Sequence, residues 1–189
     1  PSPSAGVVAE VAGPWTVEFQ PNRGAPESVT LPELADLSTH SDAGVKYFSG
    51  IATYSTEFNL ESETINRKSE IFLDFGRIEG IAEVELNGEN LGTLWTAPNR
   101  VDASNAVRPG TNRLVVRVAN SWINRMIGDE RLPEDADYRR DRWPLLKGRG
   151  YMLQKWPEWL EQGRPRPTAR VSLPTYRYWK ADDELPPSG

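Results

Sequence analysis

A β-hairpin is the feature that most constrains the fold of this chain. Residues 81–86 alternate apolar and polar side chains, which is the period of a strand with one buried face. Asn87 and Gly88 follow, and both tolerate the positive φ that a two-residue hairpin turn requires. Residues 91–95 form the predicted return strand. The pattern therefore predicts an antiparallel sheet with one apolar face.

Further strands are predicted on both sides of this hairpin. Alternation runs through 45–60 and again through 113–118, and residues 71–75 are expected to form a buried strand. Pro32 interrupts the predicted strand 28–34, which places it at a sheet edge. Weaker strands are predicted at 7–11, 15–19, 171–173 and 175–179, and residues 101–107 are expected to form a turn or a short helix. The side chains expected in the core are Ile71, Leu73, Val84, Leu86, Leu114, Val116 and Val118.

Length and composition limit the classes of protein to consider. At 189 residues the chain is long enough for one domain with its own core. We predict a linker remnant at 1–6 and a single β-sandwich domain at 7–189. A net charge of −5 disfavours nucleic-acid binding, and no apolar run is long enough to span a membrane. With no cysteine and His40 as the only histidine, we predict no bound metal and no cofactor.

A long polar segment, 122–170, follows the last strongly alternating strand. It contains one predicted helix, near 156–161, and we expect a partly helical insertion that is ordered for much of its length before the final strand. Its aromatic residues alternate with arginines. This pattern suits a loop that packs its own aromatics, a site for an anionic sugar or, least well, single-stranded nucleic acid. The aromatic residues are Tyr138, Trp143, Tyr151, Trp156 and Trp159.

The candidate carbohydrate-binding residues lie at strand ends and in this insertion. An indole can stack on the apolar face of a sugar ring, while Asn, Arg and Asp can bind its hydroxyls. Each residue also has a structural alternative. Trp95 fits a core position, and Arg125 and Asp129 could form a bidentate pair that pins the loop. The predicted sugar-contacting residues are Trp122, Asn124, Arg125, Asp129, Trp95 and Trp143.

The sequence gives no sign of a hydrolytic centre. Glycoside hydrolysis needs two carboxylates across a cleft, about 5–10 Å apart. The acidic pairs of this chain are neighbours in sequence, at 129–130, 134–135 and 182–184, which is typical of solvated surface. We therefore predict no hydrolase activity for the chain on its own.

Three motifs resemble a known family of domains. They are LDFGRIEGIAEVELNGENLGTLWTAPNRVD, NSWINRMIGD and TYRYWKADDELPPSG. Together they resemble the sugar-binding domain of glycoside hydrolase family 2, and most of all the C-terminal β-sandwich of family-106 α-L-rhamnosidases and their relatives. Met126 stands where those domains usually have leucine. Their pattern continues past the PSG motif with an apolar strand, which is therefore expected beyond Gly189.

The resemblance implies both a fold and a function. The fold is a jelly-roll, galactose-binding-like antiparallel sandwich joined to a large glycoside hydrolase. The catalytic carboxylates would lie in another domain, and the long loop could reach their site. We expect a monomeric, non-catalytic carbohydrate-binding domain of a secreted or periplasmic enzyme that degrades plant or algal polysaccharide containing rhamnose. Its partners would be carbohydrate and the catalytic domain of the same chain. The alternative is a structural domain that packs on the catalytic domain and binds no sugar.

Overall fold

The structure, a computed structural model, describes residues 6–7, 9–62, 70–141 and 150–189. Strands dominate, and the helices are short. The strands are β1 (Trp15–Phe19), β2 (Ser28–Leu31), β3 (Ile51–Leu60), β4 (Phe72–Asp74), β5 (Ile81–Leu86), β6 (Glu89–Leu94), β7 (Arg100–Asp102), β8 (Gly110–Ala119), β9 (Tyr138–Arg140), β10 (Tyr151–Leu153) and β11 (Tyr176–Arg177). The helices are α1 (Ala43–Lys46), α2 (Ile123–Asp129) and α3 (Glu158–Glu161), with a 3₁₀ turn at Leu37–Thr39.

The largest sheet has six antiparallel strands in the order β2-β1-β3-β8-β5-β6. Its register aligns the inward side chains in rows across the strands. Val17 lies opposite Tyr54, Tyr54 opposite Val116, and Val116 opposite Val84. All four are buried. The alternation therefore produces one continuous apolar face, because side chains two residues apart lie on the same side of a strand.

The core lies between this apolar face and a second layer. The two-stranded sheet β4-β7 and the segments around α1 provide that layer. Val101, Val45 and Phe48 are buried in the same cluster as the strand residues, and the ring of Phe48 meets that of Phe19 edge to face at 4.8 Å. The expected all-β antiparallel sandwich is confirmed.

The predicted hairpin is also confirmed. Strands β5 and β6 pair around Asn87 and Gly88, whose φ angles are 55° and 88°. Five of the seven predicted core residues are buried: Val84, Leu86, Leu114, Val116 and Val118. The predicted edge strand is β2, at one end of the six-stranded sheet.

The predicted buried strand at 71–75 is wrong in its extent and its burial. Among the described residues, strand β4 pairs with β7 alone, so Ile71 and Leu73 are half-buried and Phe72 is exposed. Val115 is buried, although it lies on the outer face of β8, between Ser55 and Glu85 in the register.

Several predicted boundaries also differ from the structure. The described part of 7–11 contains no strand, and residues 45–46 belong to α1 because the Asp42 carboxylate caps the backbone N–H of Gly44 and Val45. Residues 101–102 are in β7, and 171–173 form no strand. Strand β11 covers only two residues of the range predicted at 175–179.

The insertion has regular structure through much of its described length. It contains α2, β9, β10 and α3, and β11 completes a three-stranded sheet in the order β11-β10-β9. Two short strands and a helix at 158–161 agree with the expected ordered, partly helical insertion. Residues 142–149 lie outside the described residues, so the expectation stands untested there.

Candidate functional site

Helix α2 carries a buried ion pair. The Arg125 Nε lies 2.9 Å from the Asp129 Oδ1, one helical turn away, and both side chains are almost fully covered. The Asp129 carboxylate also accepts hydrogen bonds from the backbone N–H of Val171 and Ser172 and from the Ser172 hydroxyl. The backbone N–H of Arg125 donates to the Ser49 hydroxyl at 3.1 Å. The pair thus ties α2 to two distant segments.

The ion pair expected in the structural alternative for Arg125 and Asp129 is present, but through the single Nε–Oδ1 contact and not as a bidentate pair. The one helix predicted within 122–170 lies near 156–161, yet Ile123–Asp129 is helical as well. A helix brings residues four apart onto one face, which is how the two charges meet. Direct sugar contact by either side chain stays a prediction.

Asn124 is also buried, with 2 % of its surface exposed. Its Nδ2 donates to the carbonyl of Pro186 at 3.0 Å, while its Oδ1 has no partner among the described residues. Nearby, Asn120 bonds the backbone of Phe48 and Gly50 and the hydroxyl of Ser188. The two amides therefore hold the C-terminal residues against the end of the sheet, and sugar contact by Asn124 stays a prediction.

Trp122 has a different environment from its neighbours on α2. It occupies the N-cap position, and its side chain is 40 % exposed. The guanidinium of Arg23, from the loop between β1 and β2, lies 4.6 Å from the ring centroid. Sequence reasoning missed Arg23, and no local signal could have found it, because the contact joins two segments far apart in the chain.

Trp95 follows β6 and is 74 % exposed, so the alternative of a core position is wrong. Strand β8, which precedes Trp122, ends at Ala119 opposite Ile81, and β6 ends at Leu94 opposite Ala82. The chain therefore leaves β6 and β8 at the same end of the six-stranded sheet. Trp143 lies outside the described residues.

A cavity of about 290 Å³ lies under the sheet and is a poor match for a sugar. Its lining is mostly apolar and includes Trp15, Phe75 and Val116. The Tyr54 hydroxyl has no hydrogen-bond partner among the described residues, and burial raises its pKa. Asp36, Arg77 and Glu79 also line the cavity, but its mostly apolar surface suits an apolar group better than a ligand rich in hydroxyls.

The acidic pairs at 129–130 and 134–135 are bound to arginines. Arg177 bonds both Glu130 and Glu134, and Arg166 bonds Asp135 at 2.5 and 3.0 Å. The hydrogen bond from Arg177 lowers the pKa of Glu134. Burial acts to raise the pKa of Asp135, but hydrogen bonds from Arg166 and Thr168 outweigh it and the pKa is lowered. A general acid in glycoside hydrolysis needs a raised pKa, so these carboxyls are unsuited to that role.

Neither a metal centre nor a membrane span is found in the part of the chain that the structure describes. No group of three or more His, Asp or Glu side chains is arranged to hold an ion there. None of the described helices has the length and hydropathy to cross a bilayer.

Comparisons with known proteins agree with the resemblance seen in the motifs. The model of the family described as glycosyl hydrolase 2 galactose-binding domain-like matches residues 42–151, more than half of the chain. A putative beta-glucuronidase of Formosa agariphila is 39 % identical over 179 residues. That alignment covers 95 % of this chain and 14 % of the relative.

Solved structures extend the comparison to the fold. The rhamnosidase from Novosphingobium sp. PP1Y superposes with a TM-score of 0.72 at 36 % identity, over 96 % of this chain and 14 % of that one. A beta-glucuronidase of an uncultured Clostridium species, at 20 % identity and a TM-score of 0.50, covers 59 % of this chain and 22 % of that one and shares the fold alone. The chain thus spans about a seventh of the length of the two relatives that it matches along nearly its whole length.

Proposed function

The chain belongs to the glycosyl hydrolase 2 galactose-binding domain-like family, and from this premise we propose that it is a non-catalytic, carbohydrate-binding accessory domain of a larger glycoside hydrolase. One observation carries the proposal. Trp95 and Trp122 are both exposed, and the strands that precede them, β6 and β8, end at the same end of a rigid sheet.

Two exposed indoles at one end of a sheet suit a carbohydrate ligand. Each flat ring can stack on the apolar face of one sugar, and aromatic contacts contribute about 1 kcal/mol beyond the area that they bury. The sheet and α2 hold both residues in place before binding, which reduces the entropy lost when a ligand binds. Binding should be weak, with dissociation constants of about 1 μM to 1 mM.

The proposed substrate is a plant or algal polysaccharide that contains rhamnose. The motif resemblance and the similarity to a rhamnosidase support this choice. Such polymers are too large to enter a cell intact, so we place the parent enzyme in the periplasm or outside the cell. The catalytic domain of the same parent chain is the proposed protein partner, in keeping with relatives that are about seven times longer.

The alternative is that the same exposed indoles pack on the catalytic domain and the chain binds no sugar. Glycan-array screening followed by calorimetric titration separates the two functions. The proposal expects binding that weakens at least fivefold in Trp95→Ala and in Trp122→Ala. Binding to the catalytic domain with no binding to any glycan would reject the proposal and favour the structural function.

A further inference from the structure

A second cleft lies in the insertion, formed by residues different from those at the end of the large sheet. Its volume is about 610 Å³, within the range of about 300–1,000 Å³ that is usual for small-molecule sites. It lies between the start of β9, the residues after β10, and the segment from α3 to 167. The lining residues are Glu134, Asp135, Ala136, Asp137, Lys155, Pro157, Glu158, Trp159, Arg164, Pro165 and Pro167.

Trp159 is the aromatic residue among those that line the cleft, and contacts with neighbouring residues fix the orientation of its ring. Its indole Nε1–H donates to the carbonyl of Asp135 at 2.9 Å. The guanidinium of Arg166 lies 5.2 Å from the ring centroid and bonds the Asp135 carboxylate twice. The Thr168 hydroxyl bonds the same carboxylate. A ring fixed in this way is ready to stack on a ligand without first losing rotational freedom.

The walls carry donors and acceptors that a sugar can use. Lys155 and Asp137 lie 3.4 Å apart, and Arg164 and Glu158 lie 3.9 Å apart, with all four side chains largely exposed. Ion pairs this exposed contribute only about 0–1 kcal/mol to stability. A sugar hydroxyl that replaces one of these contacts with its own hydrogen bond therefore costs the protein little stability. Sugar hydroxyls both donate and accept, and each pair offers one partner of each kind.

Ion pairing in the lining selects among sugars. Each of the four carboxylates that line the cleft is paired with a cation: Asp137 with Lys155, Glu158 with Arg164, Asp135 with Arg166 and Glu134 with Arg177. A uronate, sulfate or phosphate group would have to displace one of these carboxylates from its cation, whereas a neutral sugar would not. The prolines at 157, 165 and 167 have fixed φ angles and stiffen the wall opposite β10.

We propose that this cleft is a second carbohydrate site, which holds one or two units of an uncharged saccharide against Trp159. This inference rests on the proposed function, because it takes the ligand of the domain to be carbohydrate. The cleft is a separate site, because neither Trp95 nor Trp122 lines it.

Helix α3 offers a matched pair of variants for the test. Glu158 lines the cleft, whereas Glu161 lies on the same short helix outside the lining. Each is changed to glutamine, which keeps the shape and removes the charge. The ¹⁵N-labelled chain is titrated to about 10 mM with cellotriose, mannotriose and a rhamnose-containing trisaccharide, which is enough to populate millimolar sites. Trigalacturonate serves as the anionic comparison.

The expected result is a shift of the Trp159 indole N–H signal with at least one neutral trisaccharide and a weaker shift with trigalacturonate. Glu158→Gln should bind that sugar about tenfold more weakly, Glu161→Gln should bind it normally, and Trp122→Ala should leave the Trp159 response in place. Equal affinity in the two glutamine variants, or stronger binding of trigalacturonate, would overturn the inference.

Two further outcomes separate this inference from the function on which it rests. If the Trp95 or Trp122 signal shifts and that of Trp159 does not, the cleft is no sugar site and the proposed function stands. If none of these indoles responds to any probe, both proposals are wrong.

Discussion

Trp122, at the start of α2, and the charged residues Arg125 and Asp129 within the helix have opposite environments. Trp122 is partly in solvent and is covered by Arg23, whereas Arg125 and Asp129 are buried and paired. A buried ion pair need not stabilise a fold relative to an apolar pair, but removal of one partner leaves a buried charge unsatisfied. The two kinds of position therefore predict different responses to substitution.

Asp129→Ala should destabilise the chain by about 3–5 kcal/mol, because Arg125 and the backbone N–H of Val171 and Ser172 lose their acceptor. Asp137→Ala, in the exposed pair with Lys155, is the matched control and should change stability by about 0–1 kcal/mol. Urea unfolding followed by tryptophan fluorescence measures both. Similar losses for the two variants would contradict the assignment of Asp129 as a buried anchor.

Trp122→Ala should lower the free energy of unfolding by about 1 kcal/mol, roughly what an exposed cation–π contact contributes. Trp15→Ala, at a buried position in β1, should lower it by about 3–5 kcal/mol. Thermal unfolding of the two variants measures the contrast. A loss at Trp122 as large as that at Trp15 would assign Trp122 to the core and remove it from the proposed surface.

The elements of the insertion are held together by charge as well as by strand pairing. Arg177, on β11, bonds Glu130 and Glu134, and its guanidinium lies 4.4 Å from the ring centroid of Tyr138 on β9. Arg166 and Asp135 join the segment after α3 to the segment before β9. The large sheet depends instead on the apolar core, so the two parts should respond differently to acid.

Acid should loosen the insertion before the sheet. The pKa values of Glu134 and Asp135 are lowered in the folded state from ordinary values of 4.5 and 3.8. Their contribution to stability is therefore fully present above those ordinary values and is lost as the pH falls through the lowered folded values. Hydrogen exchange from pH 7 to 3 should show amides of β9 and β10 losing protection while those of β3 and β8 keep it.

The lowered pKa of Asp135 predicts how the stability of the Asp135→Asn variant depends on pH. The variant should be less stable than the wild type at pH 7, and the difference should shrink as the pH falls below the ordinary value of 3.8 and through the lower pKa of the folded state. Asp137→Asn is the exposed control. A stability difference for Asp135→Asn that stays constant from pH 7 to 3 would show that its charge does not hold the insertion.

In the molecule as a whole, the sandwich supports loops that extend from the ends of its strands. The exposed residues Trp95 and Trp122 follow strands that end at the same end of the large sheet, and the insertion forms a small sheet with its own cleft. The residues of the apolar core are thus distinct from the exposed residues at which ligand binding is proposed.

The isolated chain should release no product from nitrophenyl glycosides of rhamnose, glucuronic acid or galactose. The reason is that Glu134 and Asp135 have lowered pKa values and are held by arginines, which is the opposite of what a general acid requires. The absorbance of released nitrophenol, compared with a buffer blank, tests this prediction. Turnover that disappears in Glu134→Gln or Asp135→Asn would show the chain to be an enzyme.

The sequence by itself determined the strands, the hairpin and most of the core. A period of two depends only on residues close together in the sequence, so Val84, Leu86 and Val116 could be assigned to the buried face without knowing which strands they pair with. The Asn87-Gly88 turn could be predicted for the same reason, because it depends on two adjacent residues. The motifs determined the family, and with it the galactose-binding-like fold.

Only the tertiary structure decided what lies beside the candidate site residues. Arg23 reaches Trp122 from the β1–β2 loop, and Asp129 accepts bonds from Ser172, a residue that no local pattern pairs with it. Trp95 proved to be exposed, and Leu73 only half-buried, because strand pairing determines which ends and edges are covered. These outcomes depend on contacts between segments that are distant in the chain, and local periodicity carries no information about such contacts.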